Sequence, residues 1–145
     1  MNRFIASVAT LGCIGRLPAG GTCATLAALP LADALARGPW WAAFAVFSVL
    51  CVLGVAVSAA AERHFGRVDD RRIVIDEVVG CLLTFLWIDT SRLAIVLIGF
   101  GLFRLLDIWK PGFRSVQRLS GGWGIMADDL VAGALANLLL RCIRL

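Results

Sequence analysis

The sequence predicts an all-α fold: a small polytopic membrane bundle of about four to five membrane-embedded helices joined by short loops. Three observations predict it. Apolar residues make up 60% of the 145 residues and charged residues 17%, where soluble globular domains carry roughly 45–50% and about 25%. The mean hydropathy is +0.88. Ionisable residues gather at the ends of the apolar stretches, leaving their middles uncharged.

Taken in order, Met1-Asn2-Arg3 followed by Phe4 to Ile14 imitates a short signal peptide, and Leu11-Gly12-Cys13 faintly imitates a lipoprotein cleavage site. Ser7 and Thr10 interrupt the apolar run, which leads straight into a Gly-Arg-Leu-Pro turn, so the segment is expected to stay in the mature protein. Thr22 to Ala36 reads as a shorter helical stretch, broken or partly inserted at Pro30. Pro39 to Ala61 is uncharged and opens with Trp40 and Trp41. About 20 apolar residues span a bilayer and tryptophan favours its interface, so this is the clearest span. Glu62 to Arg72 is a charged loop. Ile73 to Ile88 is apolar apart from Asp76 and Glu77 near its start, and Asp89 to Arg92 makes a turn. Leu93 to Trp109 is apolar until Arg104 and Asp107, and Lys110 to Gly122 is a basic loop. Gly124 to Ile143 is a last helix, with Asp128 and Asp129 in its first turns. The whole chain, 1–145, reads as one domain. Because several segments are short for spans, a soluble all-helical bundle is the structural alternative.

The formal net charge is +4, yet the basic residues are scattered among apolar helices without the aromatic-lined polar face of a nucleic-acid binder. No nucleic-acid partner is expected; attraction to anionic headgroups accounts for the excess. Five cysteines lie far apart with no CxxC pair, which implies neither a zinc site nor a disulfide framework.

Short turns set consecutive helices antiparallel. One side of the bundle then holds Arg3, Arg16, Arg63, Arg67, Arg71, Arg72, Arg104, Lys110, Arg114 and Arg118, and the other holds Arg37, Arg92, Arg141 and Arg144. The positive-inside rule makes the first side cytoplasmic. Asp76, Glu77, Asp107, Asp128 and Asp129 fall at the same ends of three different helices. Each ionisable residue inside an apolar helix costs about 2.5–3.5 kcal/mol on insertion scales, so five converging carboxylates call for a cation or basic partners. Any one pair could be a structural ion pair or a set of helix N-terminal acids; together they need more cations than these helices carry.

Carboxylates, substrate phosphate and water are the ligands magnesium prefers. Arg104, Asp107 and Lys110 recur at i, i+3 and i+6 near one helix face, so a metal ligand would stand between two phosphate-binding cations, Arg104 bidentate and Lys110 a point charge. Other phosphatase chemistries are excluded. No cysteine has the Cys-x5-Arg spacing, the one histidine, His64, sits in a charged loop, and Asp76-Glu77 lacks the Asp-x-Asp pattern of haloacid-dehalogenase enzymes, which leaves water attack and an aspartyl-phosphate route both open. The two-aspartate signature of CDP-alcohol phosphotransferases is also missing.

Three segments resemble the phosphatidylglycerophosphatase A family. Asp76-Glu77-Val78-Val79-Gly80 resembles its Asp-Glu-x-x-Gly segment, and Phe103 to Pro111 resembles its Phe-Arg-x-x-Asp-x-Trp-Lys-Pro segment. Gly121 to Gly133 resembles its Gly-Gly-x-Gly-Ile-Met-x-Asp-Asp-x-x-Ala-Gly segment. The likeness runs from about Gly12 to Asn137. The N-terminal motif departs most: Gly20 stands where the family has proline, and Ala24-Thr25 where it has Gly-Ser, while Thr22 persists. The resemblance implies Mg2+-dependent hydrolysis of phosphatidylglycerophosphate, a phospholipid, to phosphatidylglycerol and phosphate. It implies a multi-pass protein of the bacterial cytoplasmic (inner) membrane with its site facing the cytoplasm. Asp76, Glu77, Asp107, Asp128 and Asp129 are the candidate catalytic residues and metal ligands; Arg104, Lys110, Thr22 and Arg16 are the candidate phosphate-binding residues. The rival readings are a catalytically silent member acting as a lipid-binding or assembly protein, an ion-coupled carrier, and a soluble phosphatase of another ester.

Overall fold

The computed structural model describes residues 3–67, 70–109 and 121–143; Lys110, Arg114 and Arg118 lie outside them. Six α-helices and one short 3-10 turn make up the described residues, with no strand among them. They are α1 (Arg3–Ala9), the 3-10 turn (Ile14–Arg16), α2 (Gly20–Arg37), α3 (Trp40–Phe65), α4 (Ile75–Phe85), α5 (Leu93–Trp109) and α6 (Gly122–Cys142).

The middle of the bundle is α4, which packs most extensively on α6 and α2 and also touches α3 and α5. Val78, Cys81, Leu82 and Phe85 of α4 form the core with Ala24 and Ala28 of α2, Phe103 of α5, and Ala132, Ala136 and Leu140 of α6. Backbones approach closely where side chains vanish. The carbonyl of Gly80 occupies the space a side chain at Gly133 would need, and the carbonyl of Val55 does the same at Gly122. In apolar surroundings such small-residue contacts replace the hydrophobic driving force between helices with tight packing.

The N-terminal segment is part of this packing: Ala9 is fully buried, α1 lies on α3, and the Ala9 carbonyl accepts a hydrogen bond from the Val74 N–H at 2.9 Å. Among the described residues two helices, α3 and α6, have the length and apolar composition to cross a membrane. They differ in setting: α6 buries about half of its apolar stretch, whereas α3 turns Trp40, Trp41, Phe44, Val49, Val52 and Leu53 outward. An exposed apolar surface of that extent marks contact with lipid or another protein.

Three expectations change. The charged loop expected from Glu62 starts only at Gly66, because α3 continues through Glu62, Arg63 and His64 to Phe65 and is capped there by the left-handed Gly66. Far from breaking at Pro30, α2 runs through it from Gly20 to Arg37. The apolar run from Ile73 to Ile88 forms a helix of only 11 residues, roughly 16 Å long at 1.5 Å per residue. It ends early because Leu86 is extended and Trp87 takes a left-handed φ of 62°. Three carbonyls at this end, those of Leu83, Thr84 and Leu86, accept hydrogen bonds of 2.9–3.1 Å from the Asn137 side-chain amide. Arg141 adds a 3.3 Å bond to Leu86 and a 2.9 Å bond to the Asn137 side chain. The carbonyls that a helix end leaves unpaired are thus satisfied inside the bundle.

Candidate active site

At the opposite end of α4, the charged residues of three helices meet. Asp76 and Glu77 lie in the first turn of α4, Arg104 and Asp107 in the last turns of α5, and Asp128 and Asp129 early in α6. Phe103 sets the register of α5: fully buried, its ring fills the space beside Gly80 of α4 that a side chain would take. Arg104, the next residue, is thereby held at the level of Glu77.

These residues line one cavity of about 850 Å³. Its floor is acidic and enclosed: Asp76, Asp107, Asp128 and Asp129 are all buried. One oxygen each from Asp76, Glu77 and Asp129 lie within 4.8 Å of one another. Asp76 is within hydrogen-bonding reach of Glu77, and Asp107 of Asp129. Ionised carboxylates so placed repel, and a cation among them removes the repulsion.

Hydrogen-bond satisfaction singles out the same residues. Asp76 Oδ1, Glu77 Oε2, Asp129 Oδ2 and Arg104 Nε are buried without a protein partner; among the described residues the fifth such atom, Ser58 Oγ, belongs to α3. Buried polar atoms in native proteins are almost always paired, so orphans at one spot ask for a ligand. Arg104 itself is anchored: its Nη1 donates to Asp107 Oδ2 at 2.6 Å. Glu77 Oε1 lies where a side chain at Gly21 would begin, so the glycine at the start of α2 leaves room for that carboxylate.

The remaining wall comes from two loops. Gly15 to Gly21 contributes one, including Ala19 with a left-handed φ of 57°. At Gly20 a side chain would approach the Ile14 carbonyl at 2.9 Å, so glycine draws the loop and α2 together more closely than a bulkier residue would. The other wall is Arg67 with residues 70–73. Within it the buried Asp70 accepts two bonds from the Arg72 guanidinium, at 2.8 and 2.9 Å, and one from the Arg72 N–H at 3.0 Å. These bonds hold the Asp70 carboxyl below its ordinary range, and they raise Arg72 in return.

All five predicted carboxylates, with Arg104 and Arg16, line the cavity. Asp76, Glu77 and Asp129 form the close oxygen set, while Asp107 holds Arg104. Thr22 is not among the lining residues; it sits in the first turn of α2 directly after Gly20 and Gly21, which are. Lys110 lies outside the described residues. The wall at Arg67, Asp70, Arg71 and Arg72 is not among the sequence candidates; its signals are the charged loop running into Asp76-Glu77 and the placing of Arg67, Arg71 and Arg72 on the same side as the carboxylates.

The family model for phosphatidylglycerophosphatase A matches residues 7–144. The chain is 36% identical over 122 residues to phosphatidylglycerophosphatase A of Escherichia coli (strain K12), covering 80% of this chain and 69% of that protein. It is 33% identical over 130 residues to phosphatidylglycerophosphatase A of Haemophilus influenzae, covering 88% and 80%. It is also 34% identical over 107 residues, covering 72% and 67%, to a Bacteroides thetaiotaomicron protein provisionally named a phosphatidylinositol-3-phosphatase. No solved structure matches significantly. The chain belongs to the phosphatidylglycerophosphatase A family.

Proposed function

We propose that this family member hydrolyses the terminal phosphate monoester of phosphatidylglycerophosphate, releasing phosphatidylglycerol and inorganic phosphate, with Mg2+ held by the buried carboxylates. The observation that carries the reading is that Asp76, Glu77 and Asp129, which bring one oxygen each within 4.8 Å of one another, also each hold a buried oxygen without a protein partner. An oxygen-only donor set of this kind fits a hard cation such as Mg2+. When bound, the ion supplies positive charge against the phosphoryl oxygens.

The chain's own residues do the rest. Arg104, fixed by Asp107 and lining the cavity with its Nε unpartnered, neutralises phosphoryl charge as the ester bond breaks. Lys110, by the family resemblance, adds a second cation, and Arg16, exposed at the cavity mouth, binds substrate phosphate there. Thr22, one residue past the lining glycines, contributes through the backbone at the start of α2. A carboxylate outside the three-oxygen set, Asp107 or Asp128, orients the attacking water in line and accepts its proton.

The setting is a membrane. The outward apolar residues of α3, together with Leu93, Leu97, Leu105 and Ile108 of α5 and Leu138 and Leu139 of α6, form a surface suited to lipid. On this reading four to five helices are membrane-embedded, and the short α4 reaches the site from within the bundle. The arginine-rich side then faces the cytoplasm of a bacterial inner membrane, where the headgroup phosphate is presented.

The test is phosphate release from phosphatidylglycerophosphate by the purified chain in detergent, with and without Mg2+, alongside Asp129→Asn. Release that needs Mg2+ and falls on the order of a thousandfold in the variant is expected. A well-folded chain that releases none would instead be a lipid-binding member without turnover. Release that persists without Mg2+ would remove the metal from the account.

A further inference from the structure

The cavity has two electrostatic tiers. Its floor holds the buried acids and Arg104, with 15% of the Arg104 side chain exposed. Its mouth holds Arg16, Arg67 and Arg71, all exposed. A single phosphate monoester seated on the floor uses only the lower tier.

The mouth is built rather than incidental. Beside Arg71, the Arg72 guanidinium is clamped on Asp70 and lies 3.9 Å from the centre of the Phe65 ring. The segment is further pinned by Ile73 N–H to the Asp70 carbonyl at 2.8 Å and by Val74 N–H to Ala9. The Arg72 carbonyl packs against Gly15 where a side chain would begin. That contact brings the two loops together and sets their neighbouring arginines, Arg16 and Arg71, on one rim. Asp70, the acid of this wall, is bonded to Arg72 and also attracts Arg67, and among the described residues Arg16, Arg67 and Arg71 are the exposed cations lining the cavity.

We infer that Arg16, Arg67 and Arg71 form a second anion subsite that takes the phosphodiester of the lipid headgroup, while the floor takes the monoester. This rests on the proposed function and deepens it. The proposed substrate carries both groups on a short glycerol bridge, and a phosphoinositide monophosphate likewise joins a monoester-bearing headgroup to its diacylglycerol by a phosphodiester. Phosphatidate, whose monoester is attached directly to diacylglycerol, has no diester to offer. The mouth therefore selects lipids bearing two phosphates and positions the monoester over the acids.

The experiment compares the wild-type chain with the double variant Arg67→Gln, Arg71→Gln in uncharged detergent at fixed ionic strength. Two quantities are read: the ratio of kcat/KM for short-chain phosphatidylglycerophosphate to that for short-chain phosphatidate, and binding of short-chain phosphatidylglycerol, which keeps the diester and lacks the monoester. The ratio should fall about tenfold, mainly through KM for the two-phosphate lipid, and phosphatidylglycerol binding should weaken by a similar factor. Equal losses on both substrates would mean general attraction to anionic surfaces and overturn the subsite, as would an unchanged ratio with unchanged binding. If the wild type turns over neither lipid yet binding weakens in the variant, the subsite stands and the proposed function falls. If turnover and the binding effect are both absent, both fall.

Discussion

Both ends of α4 are buried in the bundle, and they are finished in opposite ways. At its C-terminal end the polar groups are matched: the carbonyls of Leu83, Thr84 and Leu86 meet Asn137, and Arg141 reinforces both Leu86 and Asn137. At its N-terminal end Asp76 and Glu77 add charge, and buried oxygens there and on Asp129 lack a protein partner. A protein that needed only to end a short helix would use the first solution twice. The difference teaches that polar residues at one end satisfy one another and hold the fold together, whereas those at the other keep buried oxygens free of protein partners, as a binding site requires.

Perturbing the open end should cost activity more than stability. After Asp129→Asn, the next largest effect belongs to Gly21→Ala, whose methyl group would displace the Glu77 carboxylate and crowd Arg104. Phosphate release should drop on the order of a hundredfold, with the melting temperature in detergent nearly unchanged. Perturbing the closed end should do the reverse. Asn137→Leu removes the amide that three carbonyls share, leaving Leu86 its longer bond from Arg141 and Leu83 its bond from the Leu86 N–H. It should destabilise the chain by about 2 kcal/mol, measured by denaturation in mixed micelles, while the folded fraction keeps its turnover. A Gly21→Ala chain that unfolds, or an Asn137→Leu chain that folds but is inactive, would erase the contrast between the two ends.

The smallest effect concerns the wall beside the site. Arg72 holds the Asp70 carboxyl below its ordinary range, so the pair stabilises the fold above the unfolded-state pKa of about 3.9. That contribution is lost as pH falls through the lower folded-state value. Asp70→Asn should therefore melt several degrees lower at neutral pH, and the gap from wild type should close below about pH 4. A gap that persists in acid would assign the effect to packing instead of charge.

How much of this could be read beforehand depended on whether the signal was local. The bounds of α5, and nearly those of α6, follow from apolar stretches and their flanking charges, and five carboxylates at matching ends of apolar helices already implied one site; α3, by contrast, carries its helix past Ala61 through Glu62, Arg63 and His64. The early end of α4 was not legible, because Leu86, Trp87 and Ile88 continue the apolar run and the termination depends on Asn137, about fifty residues away. The mouth was hidden for a similar reason. Arg67 and Arg71 sit in a loop that reads as solvated charge, and only the Asp70–Arg72–Phe65 clamp and the contact with Gly15 place them over the cavity. Thr22 shows the limit of transferring a motif residue by residue: the lining surface runs through Gly20 and Gly21 and stops one helical step before it.

The central claim, that the open end of α4 is a cation site and the closed end is purely structural, is tested most directly by titrating Mn2+, as an oxygen-seeking stand-in for Mg2+. Binding to the purified chain would be followed by its electron paramagnetic resonance signal, beside Asp129→Asn and Asn137→Leu. The account predicts saturable binding that Mg2+ displaces, lost in Asp129→Asn and retained in folded Asn137→Leu. Binding to Asp129→Asn as tight as to the wild type, or no saturable binding to a folded wild-type chain, would contradict it.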